Sequence, residues 1–347
     1  MAVKSFLGTK FPIIQAPMAG VQDSALTIAV SNAGGAGSLP CAMLTPDTIR
    51  SELKAIKSKT ANPFNLNFFC HKQPEHDRER ELKWHDILEP YCKEFKLNSS
   101  NITRGTDRKP FNEDAAEILA EFKPPIVSFH FGLPSASLVS RVKKCGTLIM
   151  ASATNLQEAI WLEDNGVDAI IAQGIEAGGH RGVFLSNDYL SNQVKTYPLL
   201  NQIKEHVKLP VVAAGGISNA KEVKKVISLG AAAVQIGTAY LLCDETKTSS
   251  IHRKALKIKD SRETVLTNIF TGRPARAIIN RFIREIGPIN ALAPEFPLAS
   301  HAVTILRKNA EAVGKGDFSP LWCGQNADGC REIPAAELTK LLASELQ

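Results

Sequence analysis

The sequence predicts an α/β fold: a (β/α)8 TIM barrel carrying a second, smaller, mainly helical domain. Eight short, continuous apolar runs occupy roughly the first 240 residues. Most of them alternate with segments of helical apolar spacing, as parallel strands covered on both faces by crossover helices require. Beyond Ile236 this rhythm stops. Eight such units in about 240 residues match a barrel in count and size. A doubly wound sheet is the alternative. It needs a Gly-rich turn after the first strand, and Pro17-Met18-Ala19-Gly20 matches G-x-G-x-x-G poorly.

The first strand, Phe11-Pro12-Ile13-Ile14-Gln15, runs into the loop Ala16-Pro17-Met18-Ala19-Gly20. Ser24 to Ala33 sets Ala25, Ile28 and Ala29 at helical spacing and closes on Gly34-Gly35, a helix stop. Ala36 to Pro40 is the second strand. Thr45-Pro46-Asp47 then opens a helix toward Lys59, with Ile49, Leu53 and Ile56 on one face. Pro63 to Phe69 is the third strand. His71 to Leu97 is strongly charged with helical spacing, and Asn98 to Pro110 is a polar loop; together they predict an excursion on the barrel's upper rim.

The alternation resumes with helix Asn112 to Phe122, strand Ile126 to Phe129 and helix Ser135 to Lys144. Strand Thr147 to Ala151, helix Leu156 to Asn165 and strand Asp168 to Ala172 follow. Helix Leu199 to Val207, strand Pro210 to Ala214, helix Ala220 to Leu229 and strand Ala232 to Ile236 complete the set. The barrel is thus expected over residues 1–241 and a mainly helical lid over 242–319, where Thr246 to Glu263 is basic and polar and Phe270 to Ala299 mixes Arg, Pro and Ile without strand rhythm. The tail, 320–347, is expected to return to the barrel.

A hydrophobic content of 44% with 22% charged residues is ordinary for a globular chain. No apolar stretch is long enough to span a bilayer, and the amino-terminal residues lack a signal-peptide core, so a cytoplasmic protein is expected. The seven cysteines are scattered without C-x-x-C spacing, which argues against a disulfide framework or a metal site. A net charge of +6 is a mild excess suited to small anions. The densest basic run, Arg273 to Arg284, reads as a solvated helix face rather than a nucleic-acid footprint. A monomer or homodimer is expected.

Ligands of a barrel bind at the loops following the carboxyl ends of the strands. The first loop offers Gln15, Ala16, Pro17 and Met18, the last on its own more readily read as core. Asn67 puts an amide at the end of the third strand, and His130 ends the fourth, as pocket lining or as packing. The sixth strand leads into Ala172-Gln173-Gly174-Ile175-Glu176-Ala177-Gly178-Gly179-His180-Arg181-Gly182, four glycines within nine residues. Such a loop brings bare backbone close to a ligand. Gly215-Gly216 after the seventh strand and Gln235-Ile236-Gly237-Thr238 at the eighth present backbone N–H groups where many barrels bind a phosphate. Gly215-Gly216 alone reads equally as a tight turn. The amides of Asn67, Gln173 and Gln235 both donate and accept, as a flavin's pyrimidine edge and ribityl chain require. With one phosphate site and no dinucleotide fingerprint, FMN is the economical cofactor. His180 is the catalytic candidate, as a general base or as the donor that fixes an anionic substrate. Glu176 and Arg181 read as an internal pair, and Trp322 and Gln325 in the tail as pocket lining.

Pro12 to Gly20, Ala172 to Gly182, Pro210 to Ile217 and Gln235 to Thr238 resemble the nitronate monooxygenases, class I in particular, and Trp322-x-Gly324-Gln325 extends the likeness. The resemblance implies an FMN-containing barrel closed by a smaller helical domain. It implies oxidation of alkyl nitronates, such as propionate 3-nitronate, by O2 to a carbonyl compound and nitrite, through a flavin semiquinone. Asn67, Gln173, Gly178, Gly216 and Gln235 to Thr238 correspond to the family's FMN contacts, and His180 to its catalytic histidine. An NAD(P)H-dependent enoyl-acyl-carrier-protein or quinone reductase on the same scaffold is the competing expectation.

Overall fold

The computed structural model describes residues 6–97, 108–186, 188–191, 193–258 and 262–346. Most of the segment read as a polar loop, 98–107, lies outside them. Seven strands of the barrel are β1 (Ile13–Gln15), β2 (Gly37–Pro40), β3 (Phe64–Phe69), β4 (Ile126–His130), β5 (Leu148–Ala153), β6 (Ala169–Gln173) and, after a two-residue strand β7 (Gly179–His180) that leaves it, β8 (Val211–Ala214). The eighth is β9 (Ala233–Ile236). All eight are parallel, in the order β1-β9-β8-β6-β5-β4-β3-β2. A parallel bridge between Ile14 and Ala36, with Gln15 N donating to Ala36 O at 2.9 Å, joins the two edges. The barrel predicted from the apolar runs is therefore what forms.

Alternate residues along each strand face opposite sides. Ile170 and Ala172 pack outward among the helices, while Ile171 between them joins Ile14, Ile126, Met150 and Val212 inside the barrel. One layer higher the interior turns polar. Asn65 Nδ2 donates to Ser38 Oγ at 3.0 Å and Ser128 Oγ at 2.9 Å, and Asn67 Nδ2 to Ser128 Oγ at 2.9 Å. The amide nitrogens of Asn65 and Asn67 are thus tied to neighbouring strands, which fixes the strand ends that carry the site, while Asn65 Oδ1 is left without a partner among the described residues.

The surrounding helices are α1 (Ser24–Ala33), α2 (Pro46–Lys59), α4 (Glu113–Phe122), α5 (Ala136–Lys144), α6 (Leu156–Asp164), α7 (Thr196–His206) and α8 (Ala220–Ser228), with α3 (Arg78–Glu94) inserted among them. Asp23, Thr45, Asn112, Asn155 and Asn219 cap the amino ends of their helices with side-chain oxygens. The carboxyl-terminal helix α12 (Ala335–Leu342) packs Leu338 and Leu342 into the barrel's outer core, and Tyr240 bonds Thr339 at 2.9 Å.

Residues 242–319 hold α9 (Ser250–Lys257), α10 (Arg281–Ile286) and α11 (Ser300–Ala312), but also two strands, β10 (Thr264–Thr267) and β11 (Ala275–Ile278). No strand rhythm was expected over Phe270 to Ala299, and β11 corrects that reading. Each strand has only four residues, and Arg276 interrupts the apolar pattern of the second. Arg276 is nevertheless buried, donating to Ile175 O at 2.9 Å and Thr264 O at 3.2 Å. The antiparallel pair β10–β11 is extended by β7, with Ala275 opposite His180 and Arg276 opposite Gly179. The barrel loop carrying His180 is thereby a strand of the upper sheet.

The helix of the charged excursion helps to build a core with residues 242–319. Trp84, Leu88 and Tyr91 of α3 pack with Phe282, Val303, Leu306 and Phe318 in a second core above the barrel. The basic run Arg273 to Arg284 is not a solvated helix face. Arg273 stacks on Phe131 at 4.0 Å, Arg276 serves backbone carbonyls, and Arg281 pairs with Glu94 and Glu285.

Candidate active site

A cavity of about 270 Å³ opens at the carboxyl ends of the barrel strands, beneath the upper sheet. Ala16, Pro17 and Met18 from the first loop line it, with Asn67, His130, Gln173, Gly178, Gly179 and His180. Gly215, Gly216, Gln235, Gly237, Thr238 and Trp322 complete the predicted residues found there. Three predicted residues do not line it. Gln15 is wholly buried and turned to Gln22 and Ser38, donating to Gln22 Oε1 at 2.8 Å and accepting from Ser38 N at 3.0 Å. Ile236 points outward into the core of helices and strands. Gln325 is exposed, and its neighbour Asn326 faces the cavity instead.

The loop after β6 is held by interactions that its sequence hides. Gln173 donates to His180 O at 2.9 Å and accepts from Gly182 N at 2.8 Å, so its amide spans the turn. Arg181 is 1% exposed and donates to Gly174 O at 2.6 Å and Gln173 O at 3.0 Å. Glu176 accepts from Thr196 N at 2.9 Å and Oγ1 at 2.8 Å. The expected Glu176–Arg181 pair does not form, because each side chain finds a different anchor. A Cβ on Gly178 would sit 2.5 Å from Gly324 N, so the tail admits only glycine there. At Gly179, with φ +73°, the same atom would stand in open space.

His180 is half-buried in the cavity wall. Its Nε2 lies 2.9 Å from Thr271 Oγ1, which is also 3.3 Å from Arg273 O. A carbonyl oxygen only accepts, so a hydroxyl that donates to it leaves His180 Nε2–H as the donor to the hydroxyl. Nδ1 then carries the lone pair, and among the described residues it has no partner. Burial pushes the His180 pKa well down, and the charges of Arg108 and Arg273 and the neighbouring imidazoles of His130 and His71 push the same way. The ring is neutral. His130 bonds Ser152 Oγ at 3.0 Å and His180 O at 3.2 Å, and burial lowers its pKa to about 3. His130 buttresses the loop.

Other groups in the wall are unsatisfied. Gln235 Oε1 is buried without a partner among the described residues. The N–H groups of Gly216, Gly237 and Thr238 likewise meet no backbone acceptor among the described residues. A buried polar group without a partner costs about 1–3 kcal/mol, a cost that a bound ligand removes.

Several site residues carried no sequence signal. Phe296 and Phe131 pack on the His180 ring with centroids 5.3 and 6.0 Å away. Phe131 holds φ +71°, a conformation costly for a bulky residue that aims its ring at the site. Arg108, Phe69 and Thr271 line the cavity from segments distant in sequence. The run Phe129-His130-Phe131-Gly132, aromatic up to a glycine at a strand end, was the one available hint.

The fold and its mouth define an enzyme of the barrel class, since side chains from most strand ends converge on an enclosed space holding a neutral imidazole. Relatives narrow the chemistry. A family model described as Nitronate monooxygenase matches residues 1–345. A nitronate monooxygenase of Paraburkholderia phytofirmans is 41% identical over 350 residues, covering 100% of this chain and 95% of the relative. One of Pseudomonas aeruginosa is 40% identical, covering 98% of this chain and 97% of the relative. Nitroalkane oxidase from Streptomyces ansochromogenes superposes with a TM-score of 0.88 at 37% identity, covering 97% of this chain and 96% of that one. FabK from Thermotoga maritima gives 0.73 at 25% identity, covering 99% and 96%. The chain belongs to the nitronate monooxygenase family. It is an oxidoreductase, and no described helix is long and apolar enough to cross a membrane.

Proposed function

We propose that this chain holds FMN and oxidises alkyl nitronates, such as propionate 3-nitronate, with O2 to a carbonyl compound and nitrite. The residues present fit that cofactor. Gln235 offers a buried amide oxygen that lacks a partner, and Gly216, Gly237 and Thr238 offer free N–H groups suited to one phosphate. Asn67 and the loop Ala16 to Met18 would line the flavin, and Gly179 leaves the room that a side chain would fill. Bound there, FMN would supply the redox chemistry between the nitronate and O2.

The chain's own residues supply position and proton handling. His180 carries the proposal: its Nε2 is tied to Thr271 and its Nδ1 has no partner among the described residues. A neutral imidazole in that tautomer accepts a proton from the carbon beside a nitro group, and a preformed nitronate does not need the step. Pairing of β7 with β11 keeps the histidine under the upper sheet and away from bulk water. Phe296 and Phe131 hold its ring from behind.

Oxygen uptake by the purified yellow protein on adding propionate 3-nitronate is the expected result. Anaerobic bleaching of the flavin by NADH or NADPH, with no response to any nitronate, would contradict the proposal.

A further inference from the structure

We propose that Arg108 is a specificity-determining residue that binds a second negative charge on the substrate, a carboxylate remote from the nitronate group. The inference rests on the nitronate reading above and assigns the far end of the same cavity.

The cavity's charges are lopsided. Its lining holds one acid, Glu176, whose carboxylate is taken up by Thr196. It holds two guanidiniums. Arg307 is neutralised by Glu311 at 2.7 Å. Arg108 is half-buried and has no carboxylate partner among the described residues. Its guanidinium lies over the face of Phe296, 5.6 Å from the ring centroid, and its backbone carbonyl accepts from His71 at 3.0 Å. Burial lowers its pKa, with no acid lifting it. A guanidinium withdrawn from water and left unpaired is costly, and an anionic ligand compensates it.

The position excludes the cofactor's phosphate as that anion. The free N–H groups of Gly216, Gly237 and Thr238 follow β8 and β9, whereas Arg108 stands with His71 and Phe69 beyond β3. In the closed barrel β3 is separated from β8 by β4, β5 and β6, and from β9 by β1 and β2. Phe296 lies against both Arg108 and His180, its centroid 5.3 Å from the imidazole. One aromatic ring therefore spaces the cation from the histidine, the reach of a short carbon chain bearing a nitronate at one end and a carboxylate at the other.

The test compares propionate 3-nitronate with propyl-1-nitronate, in which a methyl group replaces the carboxylate. Arg108→Gln should raise KM for the dianion at least tenfold more than for the monoanion, with Arg108→Lys recovering part of the difference. Succinate, whose two carboxylates mimic both ends, should quench Trp322 fluorescence or shift the flavin spectrum in the parent protein and bind at least tenfold more weakly to Arg108→Gln. Equal KM changes for both nitronates, or unchanged succinate binding, would overturn the assignment. If the parent protein turns over neither nitronate, the functional reading fails, and succinate binding still decides the anion site.

Discussion

At the scale of single residues, the hydroxyl of Thr271 decides which face His180 presents. Oγ1 has one proton and two neighbours, the Arg273 carbonyl at 3.3 Å and His180 Nε2 at 2.9 Å. Donation to the carbonyl leaves the imidazole to donate from Nε2, so that Nδ1 is the bare base. Thr271→Val keeps the shape and removes this constraint. Its kcat/KM should fall about tenfold more for a neutral nitroalkane than for the matching nitronate, a modest share of the ~10²–10⁴ that acid–base catalysis contributes. Thr271→Ser should restore it. Equal loss on both substrates would show that Thr271 serves only packing. The Gly-Gly-His turn was legible because glycines beside a polar residue after an apolar strand have few other uses. Thr271, Phe296 and Arg108 were not, since each comes from a distant segment with ordinary neighbours, and the site exists only once the chain has folded. Gln15 shows the converse: an amide at a strand end that the polar interior layer claims for Ser38 and Gln22.

At the scale of elements, the barrel strands were readable because burial on both faces leaves mostly apolar side chains, broken by polar ones toward the carboxyl ends, and their helices because caps and glycine stops bound them. β10 and β11 escaped for a physical reason. Four residues hold barely two repeats of a strand's alternation, and the buried Arg276 replaces an apolar residue by satisfying backbone carbonyls. The helical spacing of α3 was visible in Leu82, Ile87 and Leu88, but Leu82 is exposed, and nothing in that spacing shows that Trp84 and Tyr91 are the buried face or which core receives them. Trp84 and Tyr91 find it against Phe282, at 6.4 and 5.9 Å between ring centroids. One insertion, one loop strand and residues 264–318 thus form the roof of the cavity together.

At the scale of the whole molecule, buried neutral histidines tie stability to pH. Burial lowers the pKa of His71 and His252 to about 4 and of His130 to about 3. His71 Nδ1 and His252 Nε2 are both buried without a partner among the described residues, so a proton there gains no acceptor. Above an unfolded pKa of about 6.5 all are neutral in both states and their contribution is fully present. As pH falls from 6.5 toward 4 the unfolded chain takes up protons that the folded chain refuses, and stability is lost. Each contributes up to ~1.4 kcal/mol per pH unit in that window. The thermal midpoint should drop steeply between pH 6.5 and 4, and less steeply in His252→Asn. A midpoint flat across the window would contradict this.

The central claim is that His180 works on the substrate and does not hold the cofactor. It is tested most directly by His180→Asn, measured for bound FMN and for oxygen uptake with propionate 3-nitronate and a neutral nitroalkane. The account predicts retained FMN, loss of most turnover, and a larger loss with the neutral nitroalkane, which alone needs a proton removed. Unchanged turnover, or loss of FMN along with it, would contradict the claim.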